Sequence, residues 1–174
     1  MRVIAGRFRS RRLESVRGLS VRPTADRLRE SLFSVLAPRI EATVFLDAYA
    51  GSGAVGIEAL SRGAKHVVFI ERSAKALEVL RNNLHSLDIG KDEATVIRGS
   101  AATLLHNHPC DLAFVDPPYN AADEYEQSLT ALASTAVQLV VAQHPSRMSL
   151  NEIYGRLNKI RLLKQGDNSL SFYE

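Results

Sequence analysis

Tryptophan is absent from this 174-residue chain and cysteine occurs once, at Cys110, so an intramolecular disulfide is excluded and a disulfide-stapled secreted fold with it. Long apolar runs are missing too: none approaches the roughly 20 residues that a membrane-spanning helix needs. The opening MRVIAGRFRS carries arginines but no apolar block leading to a small-residue cleavage site, so no secretory signal is read there. His66, His85, His106, His108 and His144 are scattered. Only His106 and His108 form an H-x-H pair, and no nearby cysteine or acid completes a ligand set, so no metal is expected. A cytoplasmic protein without membrane attachment is the resulting expectation, of a length that suits one domain with a short extension.

What the chain has in excess is arginine at one end. Residues 1 to 30 hold nine arginines against three acids, Glu14, Asp26 and Glu30, although the whole chain carries only +3. A basic arm is thus attached to a mildly acidic body. Arginine suits bidentate phosphate contacts and stacking on bases better than lysine does. Val3, Ile4, Phe8 and Leu13 give this arm apolar residues to pack, which a merely solvated tail would lack. Residues 1–22 read as a basic extension, with 2 to 8 and 11 to 21 as a small hairpin, and 23–174 as the main domain. Thr24 is the expected cap of a helix in which Leu28, Leu32, Val35 and Leu36 recur at helical spacing up to Pro38.

Beyond that helix, short β-rich runs alternate with segments of helical period. Strands are expected at 43–47, 66–70, 94–98, 111–115 and 137–142, and helices at 53–63, 73–87, 100–107 and 122–135. In the second of these helices Leu77, Leu80, Leu84 and Leu87 form one stripe behind a Ser73 cap. Residues 158–164 and 168–173, joined by Gln165-Gly166-Asp167, read as a terminal antiparallel pair. The fold class is α/β: a mainly parallel sheet covered by helices on both faces, whose ligands belong beyond the carboxyl ends of the strands.

Two of those strand tips carry chemistry. The first runs Asp47-Ala48-Tyr49-Ala50-Gly51-Ser52-Gly53-Ala54-Val55-Gly56, a G-x-G-x-x-G between a strand and a helix, and Glu71 follows twenty residues after Gly51. Glycines let a ligand approach the backbone, and a carboxylate accepts from two vicinal hydroxyls, so an adenosine-bearing cofactor is expected; an NAD site fits this fingerprint equally. The other tip is Asp116-Pro117-Pro118-Tyr119. Two prolines stiffen the chain and remove two donors, leaving the Asp116 carboxylate and the Pro117 carbonyl as fixed acceptors. Such a pair suits an exocyclic base amine. Gripping its hydrogens favours a pyramidal nitrogen whose lone pair points at a methyl group, and Tyr119 can stack on the base.

RVIAGRFRSRRL at the start, RPTADRLRESLF at 22–33, LDAYAGSGAVGIEALSRGA at 46–64 and DPPY at 116–119 together resemble the bacterial 16S ribosomal RNA guanine-N2 methyltransferases of the RsmD-like family. The resemblance implies a Rossmann-like class I methyltransferase fold that uses S-adenosylmethionine, acting on 16S rRNA or the assembling 30S subunit; a monomer is expected. It places Asp47, Gly51 and Gly53 beside the methionine and ribose of the cofactor and Glu71 on the ribose hydroxyls. Asp116, Pro117, Pro118 and Tyr119 then hold the guanine. The chain departs from related methyltransferases at Ser100, where an acid commonly meets the adenine amine and a hydroxyl or backbone contact must serve, and at Gln143-His144, where a glutamate is expected. Arg7, Arg9, Arg11, Arg12, Arg22 and Arg27 are the candidates for RNA phosphates. The rival readings are an adenine-N6 methyltransferase, a nicotinamide-dependent reductase and a catalytically silent RNA-binding assembly factor. Asp123, Glu124 and Glu126 read as a solvated helix face, and Cys110 as a small core residue.

Overall fold

A computed structural model describes residues 1–16, 26–118 and 121–174. Arg22, Tyr119 and the expected Thr24 cap lie outside them. The order of elements is α1 (Asp26–Leu36), β1 (Val44–Asp47), α2 (Ala54–Ser61), β2 (His66–Glu71), α3 (Ala74–Ser86), β3 (Ala94–Arg98), α4 (Ala101–Leu104), β4 (Leu112–Val115), α5 (Ala122–Ala133), β5 (Leu139–Pro145), β6 (Ile153–Tyr154), β7 (Leu157–Gln165) and β8 (Asn168–Tyr173). They form one eight-stranded sheet in the order β3-β2-β1-β4-β5-β8-β7-β6. The first five strands run parallel, and β8 then returns antiparallel beside β5, with β7 and β6 outside it.

The continuous apolar runs of the central strands follow from burial on both faces, as a helix-covered parallel sheet requires. Phe45, Leu112, Phe114, Val141, Leu170 and Phe172 pack on one face beneath α1, α2 and α3, and Leu46, Ala113, Val115, Val140 and Ala142 pack on the other beneath α5. Because side chains alternate along a strand, Asp47 and Asp116 project toward the first face, just above Phe45 and Phe114.

The strands and helices expected beyond residue 26 form with boundaries moved by a few residues, while 17–21 of the expected hairpin lie outside the described residues. Strand β5 extends to Pro145 because Gln143, His144 and Pro145 find ladder partners in Leu170, Ser169 and Asn168. The helix expected over 100–107 is one α-turn followed by a 3₁₀ turn at Leu105–Asn107. The two-residue strand β6 is too short for any periodicity to register.

The basic arm is folded against the body. Arg2 and Arg12 form an antiparallel bridge, and Val3, Phe8 and Leu13 join the core of the first face. Glu58, fully buried in α2, accepts from the backbone N–H groups of Ile4 and Ala5 at 2.8 and 3.0 Å and from Arg62 Nε at 2.7 Å. The buried Arg29 of α1 places its Nε 3.9 Å from the same carboxylate. Ser61 Oγ accepts from Phe8 N–H, and Asn83 Oδ1 from Glu14 N–H. A carboxylate inside an eight-residue helix reading AVGIEALS therefore ties arm, α1 and α2 together.

Candidate active site

Strand β1 ends at Asp47, and the backbone then turns through Gly51 and Gly53, both at positive φ, of 55° and 81°. The two glycines are required for different reasons. A Cβ on Gly53 would stand 2.2 Å from Leu80 Cδ1, so the buried Leu80 side chain would have to shift to admit one. A Cβ on Gly51 would meet nothing within 4 Å, so the loop there faces open space in which a ligand can lie against bare backbone.

Carboxylates surround that space. Asp47, 2% exposed, accepts from Gly56 N–H at 2.9 Å and so caps the first turn of α2, where no side chain at Gly53 can do so. Glu71 at the end of β2 accepts from Gly51 N–H at 2.8 Å through one oxygen and from Ser73 N–H at 2.7 Å through the other. Each of these oxygens keeps a second lone pair, so the carboxylate can brace the loop and still accept from a diol. Asp116 follows β4 one strand away. Burial pushes its carboxyl up to about 8, with the charge of Asp47 adding to the effect. Asp47 is raised to about 7, again by burial first, which outweighs the Gly56 hydrogen bond; the charge of Glu71 adds to the rise. Acids held this way gain from a cation placed among them.

A second layer closes the side of this cleft. Tyr49 Oη lies 2.8 Å from Ser128 Oγ, and Arg72, next to Glu71, pairs with Glu124 at the start of α5 at 3.0 Å. Glu124 is thus engaged rather than solvated, and Glu126 accepts from Asn151 Nδ2, while Asp123 is exposed. Ser100 precedes α4 with its side chain exposed and uncapped, free to meet a ligand. Pro117 is buried and Pro118 exposed at the rim. Buried Gln143 pairs with Leu170, and His144 is spanned by Ser171 Oγ and its neighbour's carbonyl, so both are built into the β5–β8 seam.

The five candidate RNA-binding arginines among the described residues are dispersed. Arg7 pairs with Glu93 and lies over the Phe8 ring at 4.3 Å, and Arg11 donates to the Ser86 carbonyl at 2.7 Å. Glu93 and Ser86 sit at the amino ends of the strands, away from Asp47 and Asp116, so Arg7 and Arg11 do not reach the cleft. Arg9 and Arg12 are exposed on the same arm. Arg27, in the first turn of α1, is on the cleft's end of the sheet. Sequence patterns missed Glu58, Arg72 and Tyr49; of these, Glu58 had a signal, a charge enclosed by apolar helix neighbours.

The family described as conserved hypothetical protein 95 matches over residues 1–174. The chain belongs to that family. It is 36% identical over 187 residues to the YlbH protein of Bacillus subtilis, covering 100% of this chain and 98% of that one. It is 41% identical over 124 residues to ribosomal RNA small subunit methyltransferase D of Haemophilus influenzae, covering 69% of this chain and 64% of that relative, a little under two thirds of its length. Among solved structures, the yhhF methyltransferase of Escherichia coli superposes with a TM-score of 0.86 at 32% identity, over 99% of this chain and 96% of that one. The resemblance read from the sequence is borne out, as is the α/β architecture of a Rossmann-like methyltransferase.

Proposed function

We propose that this chain transfers a methyl group from S-adenosylmethionine to the exocyclic N2 amine of a guanine in 16S rRNA during small-subunit assembly. Its class rests on kinship: the chain is an rRNA methyltransferase, like the methyltransferase D proteins it matches. That class separates it from the nicotinamide-dependent and silent readings. The finer reading rests on one observation, that Asp116, with Pro117 next to it, stands at the tip of β4 on the same sheet face as Asp47 and close enough for the charge of Asp47 to act on it.

The residues present fit the cofactor. Asp47 and Glu71 supply negative charge and diol acceptors, and Gly51 gives bare backbone. When bound, S-adenosylmethionine supplies a methyl carbon made electrophilic by a sulfonium that departs as a neutral thioether. Asp116 and the Pro117 carbonyl accept the two amine hydrogens, which turns the nitrogen lone pair out of the base plane and toward that carbon. Once nitrogen carries the methyl group it must lose a proton, and Asp116, made more basic by burial, takes it. Tyr119 stacks on the base. No metal enters these steps. Alignment of nitrogen, carbon and sulfur is the main demand on the protein, which makes this chiefly proximity catalysis. The guanine must leave its stack to enter the cleft, at a cost of a few kcal/mol.

The test is a labelled-methyl assay that offers unmodified 16S RNA and assembled 30S particles in parallel, followed by mass spectrometry of the nucleosides. N2-methylguanosine is expected. N6-methyladenosine in its place would establish the adenine reading.

A further inference from the structure

The arginines fall into groups by their partners. Among the described residues Arg7, Arg29, Arg39, Arg62 and Arg72 each face a carboxylate, and Arg11 and Arg156 donate to carbonyls. Arg27 and Arg161 do neither, as is true of several others, Arg9 and Arg12 among them, but these two, with Arg161 lying over the Phe172 ring at 5.9 Å, line one groove. It lies between α1 and β7, has a volume of about 460 Å³, and is completed by Ser31, Ser34, Leu163 and Gln165, with Glu30 as its one acid.

Strand register locates this groove relative to the reacting nitrogen. Arg161 pairs with Phe172, Phe172 with Val141, and Val141 with Phe114, two residues before Asp116. Three strand spacings of about 4.8 Å and two residues of about 3.3 Å separate Arg161 from Asp116, roughly 16 Å in all. Phe172 and Phe114 both belong to the first face, so Arg161 shares the face of Asp116. The groove's upper end is fixed at the carboxyl end of the sheet, because Ser31 Oγ bonds Gln165 Oε1 at 3.1 Å and Gln165 pairs with Asn168, the partner of Pro145.

Two guanidinium groups without a carboxylate partner, two hydroxyls and the apolar Val35 and Leu163 complement a polyanion with flat bases, which is an RNA strand. We propose that the α1–β7 groove receives the phosphodiester backbone beside the methylated nucleotide, with Arg27 and Arg161 as its phosphate contacts. The proposal rests on the rRNA methyltransferase reading and names a surface for its substrate. A strand running from a base held at Asp116 along this face toward the first turn of α1 meets the groove about 16 Å away.

The test measures equilibrium binding of unmodified 16S RNA against salt for the whole protein and for Arg27→Gln, Arg161→Gln and Glu30→Gln, with S-adenosylhomocysteine affinity as the check on folding. Each arginine variant should weaken RNA binding severalfold and lower the slope of log K against log salt by about 0.7, one single-strand phosphate contact. Glu30→Gln should tighten binding, a gain that misfolding cannot mimic. Slopes equal to the parent's in both arginine variants, or unchanged or weaker binding in Glu30→Gln, overturn the proposal. A parent protein that methylates no guanine of 16S RNA overturns the underlying reading instead, whatever the slopes.

Discussion

If Asp116 accepts the amine hydrogen and then the proton, only its ionised form is competent, and burial has moved that ionisation into the working range. With a carboxyl at about 8, the ionised fraction is about 3% at pH 6.5 and about 76% at pH 8.5. The methyl-transfer kcat/KM, measured with donor well below saturation, should therefore rise about 25-fold between those values. The sign follows from the shift: raising pH removes the proton that burial retains. Saturating donor should move the rise to lower pH, because a cation beside Asp47 and Asp116 offsets their repulsion. Asp116→Asn keeps the shape but loses the base, so turnover should fall by about 10²-fold or more and the pH rise should shrink to the smaller part that ionisation of Asp47, at about 7, contributes, with S-adenosylhomocysteine affinity retained. Thermal unfolding gives a second readout. A carboxyl protonated in the folded chain and ionised in the unfolded one costs stability as pH climbs from about 4 to 8, so Asp116→Asn should melt above the parent at pH 8.5 and level with it at pH 4. A flat rate profile in the parent, or near-normal turnover in the variant, would refute this role for Asp116.

Glu71→Ala should weaken S-adenosylhomocysteine by at least tenfold in calorimetry, since it removes both the diol acceptor and the brace on Gly51 N–H; unchanged affinity would exclude the diol role. Gly53→Ala should destabilise the fold by about 1–3 kcal/mol in denaturant unfolding, from its positive φ and the Leu80 contact. Glu58→Ala should cost about 3–5 kcal/mol, because it leaves the buried Arg29 facing no carboxylate there, and proteolysis should then cleave the arm first.

The sheet was legible because its strands are buried on both faces and so read as apolar runs between glycine and proline punctuation; Leu112-Ala113-Phe114-Val115 entering Asp116-Pro117 is the clearest case. The site was legible for a related reason: Gly51, Glu71 and Asp116 all stand where a strand stops, so finding the strands found the tips. What stayed hidden depends on contacts far apart in sequence. Nothing near Glu58 announces Ile4, Ala5 and Arg29, and nothing near Arg72 announces Glu124. The arm showed the same blindness. Its arginine count was plain, but the assignment of Arg7 to Glu93 and of Arg11 to a helix carbonyl is a matter of docking alone.

The insertion of β8 between β5 and β7 bears on how the chain is made. During synthesis β5 leaves the ribosome with a bare edge, and β7 follows with no place in the sheet until residues 168–173 arrive to bridge them. Leu170 and Phe172 also complete the hydrophobic layer that Val3 and Phe8 enter from the other direction. That layer is thus complete only after residues 168–173 have been made, and a nascent chain halted near residue 165 should be prone to pairing the raw edge of β5 with a neighbour.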